Sequence, residues 1–452
     1  MSWFLVFVLG FVFINVIAFR VSILEKLGFS IPIGIGLNTL FLILIDMAGV
    51  AINNKTTILV MNIVLLLVVL GLFFVRNKDW VKNFKLDLKI DWNLFKNINL
   101  GWLLLLGFLF YVIYGISTKS LFWPVYIYDS AAGYDFIAKA IFREGSFDNS
   151  IFDPNYPLYS VRSVYPPLVP LAFSMAYVFG GLSSKIIGVF FYCSTFLVFY
   201  SFIRKYVTDY AAALFALLLA ISPEFAAFSA LSSPNPPCTF YASMGLLSMY
   251  VWYKDGEQGY FNLGVFSLML AMWTRTESIM FVAGGGFLVL LNVIKTKKHI
   301  RLAYYSFIPM SVFFFWQWYL NNVLETTKTN PIVEHLAWDG DKLARMMKQV
   351  SDVTFSTQYY GITVFLFLIL ILLNAYYIYK EKDSLVLLIT IFIPWLLYMA
   401  IYYIIDTDYK EGSVAWIGAG YKRGFFYFLP LMLFYAANNK IMKAVFKNVT
   451  KI

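Results

Sequence analysis

Histidine and cysteine are nearly missing from this chain, and charge is scarce. The two histidines, His299 and His335, stand far apart among 452 residues and give no zinc-ligand spacing, so a histidine-based metal centre is not expected. The two cysteines, Cys193 and Cys238, fall at or inside apolar stretches, which leaves the polar loops without a disulfide framework. Strict alternation of apolar and polar residues is also missing, which excludes a membrane β-barrel. No internal repeat is evident, which removes the main mark of an inverted-repeat transporter. The first residues lack the basic start and small-residue cleavage site of a signal peptide, so 3–19 reads as a retained first helix.

What is there instead is hydrocarbon. Hydrophobic residues make up 61% of the chain and aromatic residues 20%, against an apolar share of about half in soluble proteins. A membrane core of roughly 30 Å needs about 20 apolar residues per helix, and such runs follow one another almost end to end. The expectation is one helical membrane domain in contact with the lipid bilayer. The net charge of +10 is carried by short basic clusters between apolar runs, where a positive-inside bias accounts for it, and no nucleic-acid partner is expected.

Apolar runs at 3–19, 31–52, 57–75 and 100–116 give four helices before a polar island at 121–147. Residues 76–96 carry Arg76, Lys78, Lys82, Lys85, Lys89 and Lys96, which assigns them to the cytoplasmic side and puts 117–165 outside. In that outer loop Phe136, Ile137, Ala140 and Ile141 recur at helical spacing with Lys139, Arg143 and Glu144 between them, the pattern of an interfacial amphipathic helix. The prolines of YPPLVPL, 165–171, argue against a regular helix start, and the segment to 181 is expected to be interfacial or partly inserted. Further runs lie at 186–203, 209–221, 239–253, 261–273, 278–294, 302–320, 361–379, 385–405 and 425–437. Residues 222–237, SPEFAAFSALSSPNPP, read as an external loop too rich in Pro and Ser to span. Outer loops at 321–360 and 406–424 complete the path, the former long enough to hold short helices. The total is about thirteen spans, N-terminus out and C-terminus in, with basic clusters on one side. The chain divides into N-terminal transmembrane helices with a basic cytoplasmic loop (1–99), a larger transmembrane domain (100–438) and a basic cytoplasmic tail (439–452).

Few residues in this setting are suited to chemistry. Asp129 and Asp135 sit beside Tyr126, Tyr128 and Tyr134 at the outer surface, where a carboxylate can act as a general base; the plain alternative is that both are solvated loop residues. Arg275 and Glu277 interrupt one apolar stretch, either as functional groups held at membrane depth or as a hairpin turn facing the interface. An arginine offers a planar fork that matches a phosphate. Lys422 and Arg423 stand at the outer mouth of the last helix, against the inner bias of the other basic residues, as ligand-binding cations or as snorkelling anchors. Asp46, inside the second span, has no evident partner.

Taken in order, YDSAAGYDFIAKAIFREG (128–145), YPPLVPL, RKY (204–206), LLLAISPEF (217–225), LAMWTRTESIM (270–280) and GYKRGFFYFLPL (420–431) resemble the GT-C class of membrane glycosyltransferases, which includes protein mannosyltransferases and the lipid A aminoarabinose transferase. The resemblance implies a GT-C-like all-α polytopic fold of about thirteen transmembrane helices with outer-face juxtamembrane helices. It implies a polyprenyl-phosphate-linked sugar as donor and a glycan, lipid or protein hydroxyl as acceptor, on the outer face of the cytoplasmic membrane. Asp129 would be the base in an inverting transfer, with Asp135 as a second catalytic acid. Arg275, Lys422 and Arg423 would hold the donor phosphate, supported by Glu277, Tyr165 and Tyr128. Where many relatives carry Asp-x-Pro, this chain has Asn235-Pro236-Pro237, which argues against an obligate divalent metal, and no cofactor is expected. A flippase or transporter of lipid-linked saccharides, and an O-antigen-type polymerase or ligase, are the alternatives.

Overall fold

The computed structural model describes residues 2–77, 100–126, 129–153, 155, 165–180, 183–297, 300–325, 338–405 and 420–449. Tyr128, His299, His335, nearly all of the basic loop 76–96 and most of the outer loop 406–424 lie outside them. Among the described residues all regular structure is helical. The first helices are α1 (Ser2–Ile17), α2 (Ile23–Met47), α3 (Lys55–Arg76) and α4 (Leu100–Phe122). They are followed by α5 (Asp135–Glu144), α6 (Leu168–Val178), α7 (Ile186–Arg204) and α8 (Asp209–Ala220). Next come α9 (Gly245–Asp255), α10 (Gln258–Thr274), α11 (Ile279–Thr296), α12 (Ile300–Asn322) and α13 (Gly340–Thr354). The described chain closes with α14 (Thr363–Leu373), α15 (Lys382–Ile405), α16 (Leu429–Asn438) and α17 (Lys440–Val449).

Six helical stretches are each long and apolar enough to cross a membrane, and α8 joined at 68° to the short helix Pro223–Ser229 makes a seventh. Six or seven is the number that length establishes among the described residues. Helices such as α6 and α14 are apolar but have only 11 residues, about 17 Å at 1.5 Å per residue, short of the hydrocarbon layer. The exposed surface fits a bilayer: α3 turns Val60, Val64, Leu67 and Leu72 outward, each more than half exposed, and buries Ile58, Met61, Leu65 and Val69. Asn38 of α2 and Asn62 of α3 exchange amide hydrogen bonds of 3.0 and 2.6 Å inside the bundle, and each amide also donates to a carbonyl of its own helix.

Chain direction is fixed at both ends by polar clamps. Ser22 and Glu25 form a capping box that starts α2, and Glu25 also accepts from Tyr260 at 2.6 Å and faces Lys205 at 3.8 Å. The same end gathers Ser22 with Ser201 and the Asn262 amide with the Ile17 carbonyl. It is the lysine-rich end, holding Lys205, Lys254, Lys440 and Lys443 near Tyr206, Tyr260 and Tyr377. At the other end the α2–α3 turn grips the C-terminus of α5. The Ile52 N–H donates to the Gly145 carbonyl at 2.8 Å, and the Asn53 amide donates to the Phe142 carbonyl. Asp46, which had no partner in the sequence, accepts from the Phe147 N–H at 3.1 Å. α5 is amphipathic as expected, burying Ile137, Ala138 and Ile141 while Lys139, Arg143 and Glu144 face out.

Two loop expectations are corrected, both because proline costs a helix little in its first turn, where the N–H has no partner to lose. α6 starts directly behind Pro166 and Pro167, keeps Pro170 in its first turn, and is buried among α2, α5 and α7. Residues 222–237 are no external loop. Pro223–Ser229 is a short helix with Pro at its start, and every residue from 229 to 240 is buried, leading through Asn235–Thr239 and a π-helical turn at Phe240–Met244 into α9.

The core is continuous from Val6 to Phe446. At its centre Phe29 of α2 packs on Phe240, and Phe240 and Tyr241 pack on Phe191 of α7, at centroid distances of 5.2 to 5.8 Å. The Tyr241 hydroxyl donates to the Pro32 carbonyl at 2.6 Å. α1 and α2 meet backbone to backbone, so a Cβ on Gly10 would collide with the Ser30 carbonyl and one on Gly34 with the Val6 carbonyl. Gly34→Leu is expected to destabilise by about 1–3 kcal/mol or more through overpacking. Gly71→Ala, where nothing lies within 4 Å of the added carbon, should leave thermal unfolding in detergent unchanged.

Candidate active site

The segment carrying Asp129 is positioned from both of its ends. Upstream, the buried Lys185 donates to the carbonyls of Lys119 (3.3 Å) and Trp123 and so closes the C-terminus of α4. Burial pushes the Lys185 ammonium below the ordinary lysine range; Asp135 opposes that shift and Lys119 adds to it. Downstream, the chain turns through a π-helical segment, Ser130–Tyr134, kinked at Gly133, and enters α5 at Asp135. The Ser130 hydroxyl donates to the Ser232 carbonyl at 2.6 Å, tying this turn to the buried stretch that follows Pro223–Ser229.

The two acids of the island separate completely. Asp135 is 0% exposed. It accepts from the Tyr177 hydroxyl at 2.6 Å and from the Ser184 hydroxyl, and the Lys139 ammonium lies 2.8 Å away. Ser184 also bonds Ser232 at 2.8 Å, so one carboxylate joins α5, α6, the start of α7 and the Ser232 turn. The reading of Asp135 as a solvated loop acid is thus corrected: the carboxylate is interior and its oxygens face protein donors. Asp129 keeps about a quarter of its side chain exposed and pairs with Arg423, 294 positions away.

Arg423 lies on the short helix Lys422–Phe425, where Gly424 lets the Tyr398 hydroxyl come against the backbone. Its neighbour Lys422 reaches the Glu224 carboxylate at 2.9 Å and sits over the Tyr359 ring at 4.6 Å, while the Lys422 carbonyl accepts from Tyr360 at 2.9 Å. This turn is covered by α13, whose Thr354 hydroxyl bonds Tyr421 at 2.9 Å.

Arg275 ends α10 in extended conformation, and the short helical turn Thr276–Ser278 brings Glu277 back to its Nε at 2.8 Å. Nη1 donates to Asn235 Oδ1 at 2.9 Å and approaches the Tyr427 hydroxyl at 3.3 Å, and Tyr427 itself donates to Asn235 at 2.6 Å. The Tyr165 ring lies 5.7 Å from the guanidinium and packs, tilted, at 5.8 Å from Tyr134. Asn235, where the resembled family often has an acid, is here an anchor for Arg275. Tyr427, which meets Arg275, follows Arg423 closely in the turn Phe426–Phe428, and Tyr402 of α15 packs at 5.7 Å on Tyr421 just before Lys422, so both ion pairs lie beside one short stretch of chain.

The sequence-selected cations therefore gather at one end of the bundle, each beside a carboxylate: Arg423 with Asp129, Arg275 with Glu277, Lys422 with Glu224. The six side chains are between a tenth and a quarter exposed. Among the described residues, no three His, Cys, Asp or Glu side chains converge on a metal-sized space. Glu224, Asn235, Tyr402 and Tyr427 were missed from sequence, although Glu224 stands in SPEF and Asn235 in NPP, both within segments already singled out. No family model, curated protein or solved structure matches the chain.

Removing the Asp135 carboxylate leaves two hydroxyls and an ammonium without their acceptor, at about 1.5–3 kcal/mol for a hydrogen bond to a charged group. Asp135→Ala should therefore lower the unfolding temperature markedly more than Asp129→Ala, measured in the same detergent.

Proposed function

We propose that this chain is a glycosyltransferase that moves a sugar from a polyprenyl-phosphate donor to an acceptor hydroxyl at the membrane surface. The observation carrying the proposal is the Asp129–Arg423 ion pair, set beside Arg275 and Lys422. A group able to take a proton and three groups able to hold a phosphate are thereby collected from three distant parts of the chain.

In this scheme the donor phosphate competes with the three carboxylates for Arg275, Lys422 and Arg423. As it draws on Arg423, it loosens the hold on Asp129. The Asp129 carboxylate takes the proton of the acceptor hydroxyl while the oxygen attacks the anomeric carbon in line. The bond from that carbon to the phosphate oxygen breaks, the configuration inverts, and polyprenyl phosphate leaves with its new negative charge on the cations. Asn235 and Tyr427 hold Arg275 in place, and Tyr165 offers a ring face beside it. The acceptor is a glycan, lipid or protein hydroxyl. We place the reaction on the outer face of the cytoplasmic membrane, in a GT-C-like path of about thirteen passes in which short and bent helices complete the crossing, with the lysine-rich end inside.

Reconstituted protein supplied with a radiolabelled polyprenyl-phosphate sugar and an envelope extract as acceptor source tests this. Asp129→Asn should reduce transfer by about 100- to 10,000-fold, the usual contribution of a general base, with donor binding kept. Arg423→Gln should weaken donor binding. Turnover preserved in Asp129→Asn would remove the base assignment, and donor crossing the bilayer without a covalent product would mark a flippase instead.

A further inference from the structure

The lysine-rich end holds a feature that the proposed reaction does not use. A cavity of about 290 Å³ opens there, and Lys254 from α9, Lys382 from α15 and Lys443 from α17 converge on it. Twenty residues of α15, about 30 Å at 1.5 Å per residue, separate Lys382 from Tyr402 at the Asp129 end. Two of the three ammonium groups share one ring: Lys254 lies 3.9 Å and Lys443 5.8 Å from the centroid of Tyr206.

Like charges held that close repel unless something negative lies between them. The carboxylates nearby are partly committed. Glu381 faces Lys440 at 3.4 Å, and Asp255 accepts from the Tyr206 hydroxyl at 2.9 Å. Asp383 also lines the cavity. Even so, burial pushes the Lys443 ammonium below the ordinary lysine range and Lys254 adds to that shift, with Glu381 and Asp383 opposing it. The start of α15 lines the same space through Lys382, Asp383 and Ser384, bringing the positive end of a 24-residue helix to it. Lysines from three elements, a helix N-terminus and the Ser384 hydroxyl make a set of donors that outnumbers the two carboxylates on the same wall, Glu381 and Asp383, around a space with room for a phosphate.

We infer that this cavity binds a phosphate group, carried either by the headgroup of an acidic lipid or by a soluble phosphate, at the face opposite Asp129. The lysines then act as point charges on the phosphate oxygens and the start of α15 supplies backbone N–H groups. The inference does not rest on the glycosyltransferase reading, since no residue is shared between the two sites.

Thermal unfolding of the purified full chain in neutral detergent tests it, with inorganic pyrophosphate, with phosphatidylglycerol doped into the micelle, and with potassium chloride at matched ionic strength. Pyrophosphate or phosphatidylglycerol should raise the unfolding temperature above the chloride control. Combined Lys254→Gln and Lys443→Gln should shift the half-saturating concentration at least tenfold upward. A response to pyrophosphate assigns a soluble phosphate, and a response to the lipid alone assigns a headgroup. No rise over chloride with either probe overturns the proposal, as does a rise that survives the double substitution. A rise abolished by Arg423→Gln instead would place the phosphate at the other end and equally overturn it. If the double variant fails to fold, Lys382→Gln, a change at an exposed residue, takes its place under the same criteria.

Discussion

Charge in a bundle this apolar is sustained by pairing, and the pairing of Asp129 with Arg423 closes the longest loop of the arrangement. Each is brought to the other by helices whose packing is otherwise hydrophobic, so the ion pair is a product of the whole fold. The same holds for Lys422 with Glu224, while Arg275 and Glu277 are neighbours in sequence and need only a short turn. Among the described residues, three cations and three carboxylates make a charge-balanced, partly open cluster. A neutral cluster can exist without ligand, and it presents cations only to an anion able to compete with carboxylates that are already in place. The donor's phosphodiester matches a carboxylate in charge and in terminal oxygens, and the departing phosphate monoester, at about −1.5 to −2, exceeds it, so the cations favour the leaving group over the carboxylates.

What makes the cluster rigid is largely uncharged. Asn235 and Tyr427 fix one face of Arg275, Gly424 admits Tyr398 behind Arg423, and the Ser130–Ser232 bond ties the turn after Asp129 to the buried stretch 229–240. Asp135 stands behind all of this. Its bonds to Tyr177, Ser184 and Lys139 hold α5, α6 and α7 together, and Lys185, one residue beyond Ser184, closes α4. The acid six residues from Asp129 thus shapes the site without opening onto it. In catalytic sites such support decides whether a base and its partners keep a productive geometry.

The helical class and the amphipathic face of α5 were legible in the sequence because they are local: hydrophobic periodicity carries them. Asp129, Arg275, Lys422 and Arg423 were legible as charged interruptions of apolar runs. Their assignment to partners was not, since an ion pair spanning 294 positions leaves no trace in either segment. The burial of Asp135 was hidden for the same reason, its acceptors being filled from α6 and the start of α7. Proline misled at 165–171 and 222–237, where breaker residues in fact begin helices. Of the thirteen apolar runs read from hydropathy, length and composition together establish six spans, with one bent pair as a seventh, among the described residues.

The central claim is that Asp129 and Arg423 part when a phosphate arrives. An experimental structure with polyprenyl phosphate bound measures this directly. The pairing scheme predicts the phosphate on Arg423 and Arg275, with the Asp129 carboxylate turned away from the guanidinium toward the space left for an acceptor. A bound phosphate lying elsewhere, with the Asp129–Arg423 pair intact, would contradict it.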